Sequence, residues 1–154
     1  MGRRGPMILI AVVVVALCLV GTVTMYAMMN IFDDETIYPE YEITGTAGVL
    51  DCTGTGTCEE INESGGETIL HFTFSITDVS GGQKELETYL FLDQDGVPVT
   101  ELFSMVGTGE IDGTATQIWE GVGEDGFRFH ISDGRVLAID ISTDGVNARA
   151  QALP

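Results

Sequence analysis

Short turn-forming dipeptides constrain the fold of this chain more than any other feature of its sequence. Asp followed by Gly recurs five times in the C-terminal half, at Asp95-Gly96, Asp112-Gly113, Asp125-Gly126, Asp133-Gly134 and Asp144-Gly145. Asp and especially Gly tolerate the positive φ angles that two-residue hairpin turns require. Connections this short leave no room for crossover helices, so the pattern predicts an antiparallel meander.

The segments between the turns alternate apolar and polar residues, as half-buried strands do. The clearest is Thr68–Thr77, which carries Leu70, Phe72, Phe74 and Ile76 on one face and His71 and Thr73 on the other. Similar runs are Tyr41–Leu50, Leu86–Leu92, Val99–Val106, Thr114–Val122, Phe127–Ile131, Val136–Ile141 and Val146–Ala152. The sequence therefore predicts an all-β domain of about eight strands, either a small barrel or a sandwich.

An uncharged apolar run, Met7–Phe32, precedes this domain. As a helix it would be about 39 Å long, enough to cross a hydrocarbon core of about 30 Å. Arg3 and Arg4 flank one end and acidic residues the other, which predicts a cytoplasmic N-terminus and a signal-anchor helix in the cell membrane. The predicted order is a basic N-terminus (1–6), a transmembrane helix (7–32), an acidic linker (33–40) and an extracytoplasmic β domain (41–154).

Two other readings of the N-terminus stay open. A cleaved secretory signal would also begin with basic residues and an apolar run, although this run exceeds the usual length and the best cleavage site, ending at Ala27, is poor. The basic stretch ending at Gly5 also resembles a pilin-like leader, but Pro6 would follow the cut and no glutamate lies early in the helix. Within the run, Cys18 is predicted to be a lipid-facing apolar residue.

The predicted outer part of the chain is strongly acidic. From Asp33 onward there are four basic residues and 24 acidic ones, a net charge of −20. Such a charge repels phosphate backbones and anionic headgroups, which argues against nucleic-acid binding. The main interpretation of this acidity is that it keeps an exposed domain soluble and hydrated. A cation or a basic protein is the kind of partner that the charge allows, besides the lipid bilayer that the N-terminal helix would contact.

Cys52 and Cys58 are the most specific candidate site residues. They enclose only five small residues in a segment predicted to be extracytoplasmic, where thiols tend to oxidise. We expect a disulfide that closes a short loop and contributes about 2 kcal/mol to stability. Asn62 begins a glycosylation sequon with Glu63 and Ser64 in a polar segment on the same predicted side.

The sequence offers weaker candidates for metal binding and catalysis. Asp93 to Gly96 resembles part of a calcium loop, but placing Gly96 at the sixth position puts Phe91 and Leu102 where carboxylates are needed. A hairpin turn at Asp95-Gly96 is the better interpretation. His71 and His130 are both predicted on the polar faces of strands, with no spacing that suggests zinc. We predict no metal, cofactor or catalytic residue.

These features together predict a non-catalytic binding or cell-envelope protein anchored in the membrane. The first alternative is a tethered carrier whose barrel interior or groove holds a small apolar ligand. A pilin-like filament subunit and a hydrolase are further alternatives, although no nucleophile motif supports the hydrolase. Trp119, Phe103, Phe127 and Phe129 are predicted to pack in the core rather than form a ligand platform.

Overall fold

The computed structural model describes residues 38–62, 67–123 and 126–154. The predicted transmembrane helix, Cys18 and most of the predicted linker lie outside these residues, so they remain predictions. Across the three described ranges, no helix has the length and apolar character needed to cross a membrane.

Nine β-strands account for most of the described chain. Each follows the previous one through a turn or a short connection, except where ten residues separate the fourth strand from the fifth. In chain order they are β1 Tyr41–Ala47, β2 Leu50–Asn62, β3 Thr68–Asp78, β4 Gln83–Leu92, β5 Phe103–Ile111, β6 Thr114–Gly121, β7 Phe127–Ser132, β8 Arg135–Thr143 and β9 Val146–Ala152.

All nine strands belong to one antiparallel sheet, in the order β4-β3-β2-β1-β9-β8-β7-β6-β5. The two ends of the domain meet in its middle, because β1 pairs with β9 from Ala47↔Val146 to Tyr41↔Ala152. The predicted all-β antiparallel meander is confirmed. Neither of the two predicted forms, a closed barrel or a sandwich of two sheets, describes the result: the described strands form a single sheet that is not closed, with β4 and β5 as its edge strands.

The sheet curls until its inner face surrounds a core. Phe72 of β3 and Phe129 of β7 are five strand pairings apart, yet their rings lie 5.8 Å apart. Gly54 permits part of this curvature, because a Cβ at that position would lie 2.2 Å from the Ser75 carbonyl oxygen on the neighbouring strand. The hydroxyl of the buried Tyr41 donates to the Val136 carbonyl, 2.8 Å away, so this polar group keeps a partner in the core.

The predicted turn chemistry is confirmed at three hairpins. Asp112-Gly113, Asp133-Gly134 and Asp144-Gly145 have positive φ at both residues and connect β5–β6, β7–β8 and β8–β9. Two consecutive positive φ angles are the signature of the type I′ turn, whose twist matches that of the strands it joins. Local sequence therefore specifies these three reversals.

Strand β2 was not predicted from the sequence. The predicted short loop closed by a Cys52–Cys58 disulfide was therefore wrong. Cys52 and Cys58 are free thiols six residues apart in one extended strand, which places their Cα atoms about 20 Å apart. A disulfide requires a Cα separation of about 4.4–6.8 Å, so these cysteines cannot bond to each other while β2 is intact. Burial and then the carboxylates of Glu60 and Glu59 raise the pKa of Cys58 to about 12, which makes its thiol unreactive at neutral pH.

The inner face of β3 supplies the centre of the core, as its alternation predicts. Every second side chain is buried, while His71 is half-buried and Thr73 is exposed on the outer face. The four buried residues are Leu70, Phe72, Phe74 and Ile76. The face assignment for this strand is confirmed.

The tip of the β5–β6 hairpin leaves the sheet and lies over its outer side. Only Gln117–Glu120 of β6 pairs with β7, and a register shift interrupts β5 between Met105 and Gly107. Beyond these points, the Asp112 carboxylate in the hairpin turn accepts a hydrogen bond of 2.7 Å from Gln151 of β9, three strands further along the sheet. The tip thereby covers the outer face of the intervening strands.

Candidate functional site

Among the described strands, β4 and β5 are the two edges of the curled sheet, and a seam lies between them. Eight successive antiparallel pairings separate the two strands, so β4 and β5 run in the same direction. A meander of nine strands cannot close with an antiparallel pair. Within the described chain the two edges do not pair with each other in parallel either, and on its seam side β4 pairs only with the connection, at Leu92↔Pro98.

The connection from β4 to β5 occupies one end of this seam. It turns at Gly96, whose φ is 76°, and then runs back beside β4. Val99 N–H donates to the Phe91 carbonyl at 2.9 Å, and Asp93 N–H donates to the Val97 carbonyl at 2.8 Å. The predicted tight turn at Asp95-Gly96 is confirmed, but the predicted strand from Val99 begins only at Phe103.

Asp93 stabilises this turn with its side chain. Its carboxylate accepts hydrogen bonds from the backbone N–H groups of Asp95 and Val97, at 2.8 and 3.0 Å. These bonds give the carboxylate a structural role in the turn, in place of the calcium-loop role considered from the sequence.

The rest of the seam is a cleft of about 540 Å³. Four phenylalanines give it an apolar wall, and three of their rings form a contact series: Phe91 to Phe103 at 6.4 Å and Phe103 to Phe129 at 6.2 Å between ring centres. The complete lining is Glu87, Thr88, Tyr89, Phe91, Leu102, Phe103, Gly121, Val122, Gly126, Phe127, Phe129 and Thr143. Phe103 and Phe129 are buried, as predicted, whereas Phe127 is only half-buried and belongs to the cleft.

One rim of the cleft is polar and aromatic. The imidazole of His71 stacks on the ring of Tyr89, with centres 4.5 Å apart and planes 9° apart. Nε2 of His71 lies 3.0 Å from Glu87 Oε1, and the Tyr89 hydroxyl donates to the same oxygen at 3.3 Å. Partial desolvation and the nearby Glu87 carboxylate raise the pKa of Tyr89. The three residues form an outward-facing platform with a negative edge beside the seam.

His130 occupies a different environment, and its predicted exposure was wrong. Only 4% of His130 is exposed, although it lies on the outer face of β7. The hairpin tip covers it: Nδ1 of His130 and Oγ1 of Thr116 both lie 3.6 Å from the point where a Cβ of Gly109 would be. Neither atom has a hydrogen-bond partner among the residues that the structure describes.

The other ring nitrogen of His130 belongs to a short polar chain. Nε2 lies 2.8 Å from Asp140 Oδ2, and Nε of Arg149 donates to Asp140 Oδ1 at 2.7 Å. Burial opposes ionisation of Asp140, but the hydrogen bonds from Arg149 and His130 outweigh it and lower the Asp140 pKa. This arrangement fixes the imidazole and is stabilising, with Asp140 charged between its two partners.

The structure does not bring the two histidines together. His71 lies beside the seam on β3, and His130 lies under the hairpin tip on β7. Among the described residues, no group of three or more His, Cys, Asp or Glu side chains is arranged to hold a metal ion. Asn62 is the last residue of β2, and its side chain lies outside what the structure describes.

A second cleft, of about 640 Å³, lies where the β4–β5 connection meets the β7–β8 turn. Its lining comes largely from turn residues and from the ends of β5 and β6, including Asp95, Gly96, Asp133 and Gly134. Apolar residues such as Val97, Pro98 and Ile131 also line it, but no aromatic side chain does. The seam cleft, with four phenylalanines, is therefore the stronger candidate.

No protein-family model, curated protein or solved structure matches this chain. The sequence predicted Phe103, Phe127 and Phe129 in the core and Phe91 in a strand, and it did not predict the seam. An odd number of strands would have indicated that the edges cannot close as an antiparallel pair. The sequence predicted an even number, because β2 was not recognised.

Proposed function

We propose that this protein is a non-catalytic binding domain, anchored in the membrane with its β domain outside the cytoplasm, and that the seam cleft receives an apolar group of its ligand. The cleft carries this proposal, because it exposes aromatic surface at a break in an otherwise continuous sheet. The anchor and the location rest on the apolar run Met7–Phe32 and its flanking charges.

Exposed apolar residues at the cleft support a binding role. Leu102 is 46% exposed and Val122 is 58% exposed, both on the lining of the cleft. Phe91 and Phe127 are half-buried next to them. Removing such surface from water contributes about 25 cal/mol per Å², so a ligand that covers it gains affinity.

A carrier of a small apolar ligand is the second candidate function. Its ligand would bind in the seam cleft and not inside the curled sheet. Phe72, Phe74 and Tyr41 are almost completely buried and pack against one another inside the curled sheet. Their rings fill the place where a barrel carrier would hold its cargo. The seam cleft, within the usual range of about 300–1,000 Å³ for small-molecule sites, would hold it instead.

Titration of the full chain with a neutral apolar fluorophore, N-phenyl-1-naphthylamine, tests the binding role. The protein is held in lipid discs, and energy transfer from Trp119 reports probe bound near the core. Val122→Lys places a charge on the cleft lining and should weaken binding about tenfold, which corresponds to about 1.4 kcal/mol. The control is Val79→Lys, at a turn residue that is 71% exposed and away from the cleft.

Discs and lipid background are the same for both variants, so probe partitioning into lipid cancels in the comparison. Equal binding by the wild type and both variants would show that the cleft is not a binding site.

A further inference from the structure

We infer that the seam binds an extended peptide segment of a partner protein, which adds to β4 as an antiparallel strand and alternates apolar with basic side chains. This inference rests on the proposed function, because it names the class of ligand for the same cleft. Four features of the seam support it: backbone groups, strand direction, side-chain environment and charge.

The backbone of β4 presents hydrogen-bonding groups to the seam. Phe91 and Asp93 use their seam-facing groups to bind Val99 and Val97 of the connection. Backbone direction alternates along an edge strand, so the N–H and C=O groups of Glu87 and Tyr89 also point into the seam. No strand of the described chain pairs with them, and an incoming strand would satisfy them.

The connection already shows how such a strand pairs. Pro98 forms an antiparallel bridge with Leu92, so the chain itself adds a short piece of strand to the end of β4. A peptide continuing along the same edge would pass Tyr89 and then Glu87. The added strand would pair with β4 alone, because Phe103 is the only β5 residue that lines the cleft and the opposite wall comes from Gly121, Val122 and Phe127.

Side chains of an added strand would meet two different environments. Those pointing inward would face Phe103, Phe127 and Phe129 in the cleft, which favours apolar residues. Those pointing outward would lie beside Glu87 and the exposed Tyr89 ring. A carboxylate next to an aromatic ring favours Lys or Arg, through an ion pair and a cation–π contact.

The charge of the whole domain points to the same partner. The sequence from Asp33 onward has a net charge of −20, which accelerates the approach of a basic segment and opposes that of an acidic one. Strand addition to a sheet edge is an established mode of peptide recognition, in which backbone bonds give affinity and alternate side chains give specificity.

A synthetic peptide of alternating valine and lysine, acetylated and amidated at its ends, tests the inference. Full-length protein in discs of zwitterionic phosphatidylcholine is titrated with this peptide and with a matched peptide whose valine nitrogens are methylated. Methylation removes donors for strand pairing and keeps the side chains. We expect at least about tenfold weaker binding of the methylated peptide, corresponding to about 1.4 kcal/mol, and slower hydrogen exchange at the Glu87 and Tyr89 amides with the unmodified one.

Glu87→Gln tests the charge contribution, with Glu42→Gln on the outer face of β1 as the control. We expect only the first to weaken peptide binding, and added salt to reduce the difference because it screens the exposed charge. Equal affinity of both peptides, or unchanged exchange at Glu87 and Tyr89, would overturn strand addition.

The two proposals fail separately. If the apolar fluorophore binds at the cleft while the peptide neither binds nor displaces it, the cleft is a small-molecule site and the peptide inference is wrong. If neither binds, the proposed function is wrong as well.

Discussion

β3 and β7 have similar sequences of alternating residues but different environments in the structure. In β3, the buried Phe72 alternates with residues that face outward, such as His71 and Thr73. In β7, Phe129, His130 and Ile131 are all buried, although alternation places His130 on the outer face. The difference comes from the β5–β6 hairpin tip, which covers the outer side of β7 and leaves that of β3 in water.

The comparison shows what side-chain alternation reports. It determines which residues share a face, and it determines burial only when one face meets solvent. A residue on the other face becomes buried when a distant segment covers it.

Phe72→Ala should lower the free energy of unfolding by about 3–5 kcal/mol, because it leaves a cavity at the centre of the core. Thr73→Ala, on the outer face of the same strand, should change it by less than about 0.5 kcal/mol. Denaturant titration of both variants measures the difference. Similar losses for the two would mean that β3 is not one-sided.

His130→Ala should cost about 2 kcal/mol, because it removes a buried ring and leaves Asp140 without one partner. His71→Ala should cost less than about 1 kcal/mol, since its pair with Glu87 is exposed to water. The same titrations compare the two histidines. A silent His130→Ala would show that the hairpin tip does not cover β7 in solution.

Asp140 should make the stability of the domain depend on pH, with a smaller effect than that of His130→Ala. Its pKa is lowered in the folded state, so its contribution is present above the ordinary Asp pKa of about 3.9 and is lost as the pH falls through the lower, folded value. Asp140→Asn should therefore differ most from the wild type near neutral pH, and the difference should shrink below about pH 4. Unfolding curves across this range check it, and a difference that grew on acidification would contradict the assignment.

Reducing agent should leave the stability unchanged. The short loop expected from the sequence would have contributed about 2 kcal/mol as a disulfide, whereas the structure has two free thiols in β2. Denaturant titration with and without dithiothreitol measures the effect, and thiol counting after unfolding is the control. Loss of stability on reduction would restore the disulfide and would require a different path for β2.

Much of the architecture could be predicted from the sequence because it depends on neighbours in the chain. Asp112-Gly113 and the two later Asp-Gly turns adopt the positive φ angles that their residues favour. The period-two pattern of Thr68–Thr77 assigned both faces of β3 correctly. Strand β2 was not predicted, because its glycines are poor strand formers and its cysteines suggested a loop.

Part of the candidate site could also be predicted from the sequence pattern. Phe103, Phe127 and Phe129 were recognised as aromatic residues of the core, and Tyr89 and Phe91 as members of one strand. The sequence did not predict that these residues line one cleft, because β4 and β5 adjoin only after the whole sheet has curled.

Local sequence thus determined the turns, most of the strands and the faces of β3, since these follow from backbone preferences and side-chain period. Tertiary structure alone decided the burial of His130, the separation of Cys52 from Cys58 and the open seam. Each of these depends on which distant strands become neighbours. In a nine-stranded meander, that arrangement also leaves the two edge strands running in the same direction and unable to close as an antiparallel pair.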